Sequence, residues 1–308
     1  MNKKKILIIG GTGFIGSHLA EFLNKKKWDV TASTFAQKKN FLNEKKIKII
    51  KLNLANLKKT SSFFKKNSFE YVVNLSGYID HSSFFQKKNI ILESHFYGVL
   101  NLVKKLNRKK LKKFIQIGSS DEYGNLISPQ KENKKEIPIS LYSFSKLATA
   151  NFFQMLYRTE NFPVIILRIF LAYGPGQDQK RFIPQIIAGC LQNKNFDTSA
   201  GKQLRDFCYI DDVISAIYKC LLDTKNNGEI FNVGSGKPIQ IKFLINKIVS
   251  QLKNGKPLFG KIKYRKNENM VLFPDISKIK KNIGWKPKVN ISQGIKKTID
   301  YYKKKINA

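Results

Sequence analysis

Ile6-Leu7-Ile8-Ile9 runs without a break into Gly10-Gly11-Thr12-Gly13, and Phe14, Ile15, Leu19, Phe22 and Leu23 then recur at helical spacing. Four consecutive apolar residues predict a strand buried on both faces, as in a parallel sheet. The stretch therefore reads as strand, glycine turn, helix. Glycines there serve a tight turn, a close backbone approach and close packing of helix on strand, a combination that suits a pyrophosphate. The free N–H groups of the first helical turn add a phosphate site, reinforced by the helix dipole.

Composition narrows the alternatives. A chain of 308 residues holds one large core and a smaller lobe. Hydrophobic content of 42% and charged content of 25% are those of a globular protein. No apolar run approaches the ~20 residues that cross a bilayer. The lysine-rich amino end lacks the cleavage site of a signal peptide: its apolar run stops at Gly10, and Glu21 lies in the next helix. Cys190, Cys208 and Cys220 have no metal-like spacing and imply reduced, buried thiols in a cytoplasm. The net charge of +36 raises the question of nucleic acid. The lysines, however, come in doublets and triplets along the whole chain, such as Lys25-Lys26-Lys27, Lys65-Lys66 and Lys303-Lys304-Lys305. That spread describes solvated faces, with a mild attraction for anionic nucleotides. Neither nucleic acid nor a membrane is an expected partner, and no metal is expected.

Further strands are predicted at 29–33, 48–52, 71–75, 113–117 and 163–170, with a long helix over 90–106. The fifth strand ends in Gly118-Ser119-Ser120-Asp121-Glu122-Tyr123-Gly124. A polar cluster at the carboxyl end of a parallel strand is where open α/β sheets place chemistry. After a loop, a helix opens at Leu141 and sets Tyr142 and Lys146 at i and i+4, on one face. A free phenol, with a pKa of about 10, is a poor base at neutral pH. An ammonium one turn along is expected to bring it down toward the working range. Ser119 is expected to polarise the substrate oxygen by hydrogen bond.

Gly10-x-x-Gly13-x-x-Gly16, the Ser119 strand end and Tyr142-x-x-x-Lys146, in that order, resemble the extended short-chain dehydrogenase/reductases of the nucleotide-sugar epimerase/dehydratase family. The likeness runs from Lys5 to about Pro287, and Gly11-x-Gly13-x-x-Gly16 also has Rossmann spacing. The resemblance implies a doubly wound parallel sheet of Rossmann type with a smaller C-terminal substrate lobe. It implies cofactor contacts from Gly10, Gly13, Phe14, Ile15, Gly16, Asn53, Leu54, Leu75, Tyr142 and Lys146. Asn53-Leu54 stands where relatives show Asp and an apolar residue near adenine, and Leu75-Ser76-Gly77 stands beside the phosphates. Ser119, Tyr142 and Lys146 are the implied catalytic residues. Asn101, in Gly98-x-x-Asn101, matches a helix Asn that holds a water relay behind the lysine in relatives. Arg205, in Arg205-Asp206-Phe207, is implied to bind the nucleotide diphosphate, with Arg265 as a second such residue. Arg181, Ser120 and Asp121 complete the substrate side. Ser120-Asp121 matches neither the Asp-Glu nor the Ser-Glu pair of the dehydratases. Leu171 replaces an Asn that touches substrate.

NAD-selective folds carry an acid near the end of strand two. Here the residues are Ala32, Ser33 and Thr34, followed by Lys38 and Lys39, which favours NADP over NAD. The expected division is a Rossmann domain over 1–170, rejoined by 211–233, and a nucleotide-sugar lobe over 171–308. Asp211 or Asp212 is expected to cap a helix. The expected reaction is hydride transfer at C4 of a nucleotide-diphosphate sugar, by a 4-keto reductase or a 4-epimerase. A 4,6-dehydratase and a non-catalytic dinucleotide sensor are the alternatives. A homodimer is expected by analogy.

Overall fold

The computed structural model describes residues 3–35, 47–77, 90–264 and 268–306. Its strands in chain order are β1 (Lys5–Ile9), β2 (Asp29–Thr34), β3 (Lys48–Lys51), β4 (Tyr71–Asn74), β5 (Lys113–Ser119), β6 (Val164–Ile169) and β7 (Leu171–Tyr173). There follow β8 (Asn195–Thr198), β9 (Leu204–Tyr209), β10 (Ile230–Val233), β11 (Pro238–Gln240), β12 (Lys256–Phe259) and β13 (Val271–Leu272). The helices are α1 (Phe14–Lys25), α2 (Leu57–Lys66), α3 (Ile90–Leu92), α4 (Gly98–Lys105) and α5 (Leu141–Glu160), then α6 (Phe182–Leu191), α7 (Ile210–Leu222), α8 (Ile241–Leu252), α9 (Ser277–Ile283) and α10 (Ile291–Ile306).

Seven strands form one sheet in the order β10-β6-β5-β4-β1-β2-β3, and every neighbouring pair is parallel. This is the doubly wound Rossmann arrangement. Strand order reverses between β1 and β4, so a crevice opens there at the carboxyl ends. The apolar run of β1 explains why both faces are covered. Ile6 and Ile8 join the core under α1 and α7, while Leu7 and Ile9 join the one under α4 and α5. All four are at most 2% exposed, and each contributes about 1.5–3 kcal/mol of burial.

The helix expected over 90–106 is broken. Between α3 and α4 lies a π-helical turn, Glu93–Tyr97, a widened turn that is frequent at functional sites. The widening turns His95 inward. A Cβ on Gly77 would fall 1.8 Å from the His95 ring, and that ring meets the Tyr142 ring edge-on at 5.2 Å.

The smaller lobe is organised around β9, which pairs antiparallel with β11 and parallel with β7 and β13. Buried Asp206 fixes the next loop, accepting from the N–H groups of Ser235 and Lys237 and from the Ser235 hydroxyl. Asp212 is not the expected helix cap. Tyr209 occupies the N-cap of α7, and the Asp212 carboxylate accepts from the N–H groups of Lys288 and Val289. It ties the C-terminal segment to α7, because two backbone donors in a buried place need an acceptor.

Candidate active site

The glycine turn sits at the crevice. Gly10 has a φ of +71°, and a Cβ there would stand 3.0 Å from the Leu75 carbonyl oxygen, across the β1–β4 gap. On Gly16 a Cβ would stand 2.3 Å from the Gly10 oxygen, so only glycine lets α1 approach β1 this closely. Gly13 is the N-cap of α1 and supplies no capping side chain, and the first turn, with Phe14 and Ile15, carries no acid. An uncapped helix end on a glycine cradle is suited to a pyrophosphate. These residues fit a dinucleotide.

At the adenosine side, Leu54 is buried. The Asn53 side chain accepts from the Ala55 N–H at 3.0 Å. Asn101 is partly buried on α4. Its amide donates to the Leu54 carbonyl at 3.0 Å. One turn of α4 separates it from the π-helical turn, and that turn brings His95, not Asn101, toward Tyr142. At the end of β2, the Ser33 hydroxyl accepts from the Gly10 N–H at 3.2 Å and braces the turn. Lys38 and Lys39 lie outside the described residues, as does Arg265.

Ser119, Tyr142 and Lys146 come together at the carboxyl end of β5. The Ser119 hydroxyl lies near enough to the Tyr142 phenol to lower its pKa. Lys146 donates to the Ile117 carbonyl at 3.1 Å. Burial pulls the Lys146 ammonium down to about 8, with the Glu122 charge opposing that drop. Tyr142 departs from the expectation. Burial pushes its phenol above the ordinary value, and the nearby Ser119 hydroxyl, though it lowers the pKa, does not offset that. The charges of Asp121 and Glu122 push it further up and that of Arg181 pulls it down. The ammonium expected to acidify Tyr142 is instead held by a main-chain carbonyl, so desolvation wins.

Two residues that spacing alone did not single out hold this cluster. Glu122 accepts from the Ser119 N–H at 2.8 Å and pairs with Arg168 Nε at 2.7 Å, and both side chains are fully buried. Arg168 also pairs with Glu136 and lies over the Tyr123 ring, 4.5 Å from its centroid. Gly118 makes room, since a Cβ there would come 2.5 Å from the Glu122 carboxylate. The available signal was Arg168 itself, a charge inside the apolar run Val164–Ile169, which demands a buried partner. A second network runs across the sheet. Ser76 donates to Asn74, Asn74 to Gln116, and Gln116 to the Ile117 carbonyl that also holds Lys146. Of the expected substrate residues, Ser120 is buried, Asp121 and Arg181 act on the phenol, and Arg205 lies on β9 in an ion pair with Glu268.

The NAD dependent epimerase/dehydratase family model matches residues 6–234. The chain belongs to that family. A dTDP-D-glucose 4,6-dehydratase of Dictyostelium discoideum is 31% identical over 270 residues, which are 80% of this chain and 62% of that protein, so the chain matches less than two thirds of that relative. A UDP-N-acetyl-alpha-D-glucosaminuronate decarboxylase of Bacillus cytotoxicus is 30% identical over 320 residues, covering 98% of both chains. A UDP-glucuronic acid 4-epimerase of Bacillus cereus, solved with UDP-glucuronic acid and NAD, superposes with a TM-score of 0.85 at 26% identity, over 97% of this chain and 99% of that one. Among the described residues, no helix is long and apolar enough to cross a membrane.

Proposed function

We propose that this chain moves a hydride at C4 of a nucleotide-diphosphate sugar, as a 4-epimerase or a 4-keto reductase. The observation that carries the proposal is the gathering of buried Ser119, Tyr142 and Lys146 at the carboxyl end of β5, with Lys146 on the Ile117 carbonyl, at the sheet edge that faces the glycine cradle. The names of the three relatives support C4. Epimerisation needs a flat carbon there, while loss of water across C5–C6 and loss of the C6 carboxylate are both eased by a C4 ketone.

A bound nicotinamide dinucleotide would supply the hydride donor or acceptor. Gly10, Gly13, Phe14, Ile15 and Gly16 would hold its pyrophosphate, and Asn53, Leu54 and Leu75 would flank its adenosine and phosphates. Tyr142 holds a proton at its phenol oxygen and gives it to the sugar oxygen in reduction, or takes one from the C4 hydroxyl in oxidation. Ser119 hydrogen-bonds the same sugar oxygen. A phenol that keeps its proton suits the reductive direction. The oxidative direction needs Lys146 to exchange the Ile117 carbonyl for a place nearer Tyr142, where its charge would stabilise phenolate. The missing acid at the β2 end supports NADP, whereas the Bacillus cereus structure was solved with NAD. We assign cofactor binding mainly to residues 1–170 and 211–233, and sugar-nucleotide binding mainly to the remainder of 171–308.

Asp121 beside the phenol, together with the dehydratase relative, favours 4,6-dehydration as the second reading. Incubation with NAD(H) or NADP(H) and a panel of UDP and dTDP sugars, 4-keto-6-deoxy sugars among them as hydride acceptors, separates the outcomes by product mass and by absorbance of reduced cofactor. Net oxidation of NADPH means reductase. An isomer of unchanged mass without net cofactor change means epimerase, and loss of water means dehydratase. Conversion of no sugar with either cofactor would contradict the proposal.

A further inference from the structure

Arg168 is fully buried on β6, yet it bonds two carboxylates that arrive on different pieces of chain. Its Nε donates to Glu122 at 2.7 Å, and its Nη2 pairs with Glu136, whose side chain is 19% exposed. Glu122 turns its other oxygen to the Ser119 N–H at 2.8 Å. The Ser119 hydroxyl in turn accepts from the Asp121 N–H at 3.2 Å, which leaves its proton to donate outward. Glu136 lies shortly ahead of Ser140, the N-cap of α5, and Tyr142 follows in the first turn of that helix. A Cβ on Gly124 would fall 1.8 Å from the Ile137 carbonyl oxygen, so the chain that leaves Ser119 runs close against the chain that enters α5.

We propose that Arg168 is a positioning residue: held between Glu122 and Glu136, it fixes the end of β5 against the start of α5 and so sets the spacing of the Ser119 hydroxyl and the Tyr142 phenol around the sugar oxygen. The inference rests on the reading of those two groups as the ones that meet that oxygen. A guanidinium suits the task, because its rigid, planar fork offers separate edges to two carboxylates, where a lysine presents one point charge. Stability alone does not call for this arrangement. A buried ion pair is often worth no more than a neutral replacement of similar volume. Two glutamines in place of Glu122 and Arg168 would bond each other, keep an acceptor for the Ser119 N–H and bury no charge. A glutamine at 168 is too short to reach Glu136, so the link from Ser119 to α5 would be lost. Misplacing a reacting group by about 1 Å costs on the order of 10²-fold in rate.

Steady-state kinetics on the full chain test this, using the UDP or dTDP sugar of the panel that wild type converts, beside melting temperature and dinucleotide Kd. The double variant Glu122→Gln/Arg168→Gln is expected to melt within about 5 °C of wild type. Its kcat is expected to fall roughly 10- to 100-fold, while KM and dinucleotide Kd stay within about threefold of wild type. Glu136→Gln alters only the partly exposed arm, and with it kcat is expected to fall roughly three- to tenfold at unchanged KM. If the double variant does not fold, Glu136→Gln decides alone. A merely structural role would lower the melting temperature and leave the kcat of the folded protein alone. Wild-type kcat in either variant, or a loss only in step with dinucleotide affinity, overturns the positioning role and leaves the proposed function intact. A wild-type chain that converts no sugar overturns both.

Discussion

Lys146 is under opposing demands. Its ammonium is buried and donates to the Ile117 carbonyl, yet burial weakens its hold on the proton, from an ordinary 10.5 to about 8. Below about pH 8 folded and unfolded chains both carry this proton, and the folded chain bears the full cost of burying it. From about 8 to 10.5 only the unfolded chain keeps it, so this contribution to stability improves as pH rises. Lys146→Met is therefore expected to be more stable than wild type at pH 7, by up to about 3 kcal/mol, with the gap closing toward pH 10.5. The Ile117 carbonyl does not lose its last donor in the variant, because Gln116 still bonds it at 3.0 Å. Thermal melts across that range check the expectation, and a variant less stable than wild type at pH 7 would refute it. The same residue marks the limit of reading by spacing. An i, i+4 pair places Tyr142 and Lys146 on one face, but it does not say what else each group touches. The carbonyl that captures Lys146 and the desolvation that raises Tyr142 are tertiary facts. So is the Glu122–Arg168 pair, whose partners lie 46 positions apart.

At the scale of elements, periodicity and glycine placement made most of the frame legible. The strands at 29–33, 48–52, 71–75, 113–117 and 163–170 all appear, because buried parallel strands are short apolar runs. Strand β5 extends to Ser119, since pairing with β6 continues through Gly118 and Arg168 to Ser119 and Ile169. The π-helical turn at Glu93–Tyr97 was not legible. It follows from the packing of His95 against Gly77 and of Gly98 against Leu54, and neither contact leaves a periodic trace. Helix α5 shows a further element-scale property. Its inner face, with Tyr142, Lys146, Ala150 and Phe153, is buried, while Phe144 is 51% exposed and Met155 39% exposed. Ile90 and Tyr97, on the elements packed against α5, are similarly exposed. This apolar face is the one we assign to the proposed homodimer. Phe144→Asp is expected to halve the mass seen by sedimentation equilibrium. A wild-type chain that sediments as a monomer would remove the assignment.

For the whole molecule, the arrangement gathers residues from distant parts of the chain onto one edge of one sheet. The glycine cradle comes from the first strand–helix unit, Ser119 from the fifth strand, and Tyr142 and Lys146 from the helix after it. Arg205 belongs to a different sheet, on β9. The order of these motifs was readable in the sequence. The bond from Asn101 to Leu54 was not, because it joins residues 47 positions apart. The central claim is that this edge performs proton and hydride transfer on a nucleotide sugar. The most direct measurement takes Tyr142→Phe beside wild type and records both sugar turnover and dinucleotide Kd. The claim requires turnover to fall about 10²- to 10⁴-fold while the Kd stays within about threefold, less than 1 kcal/mol of binding. Turnover that survives the loss of the phenol oxygen would contradict it.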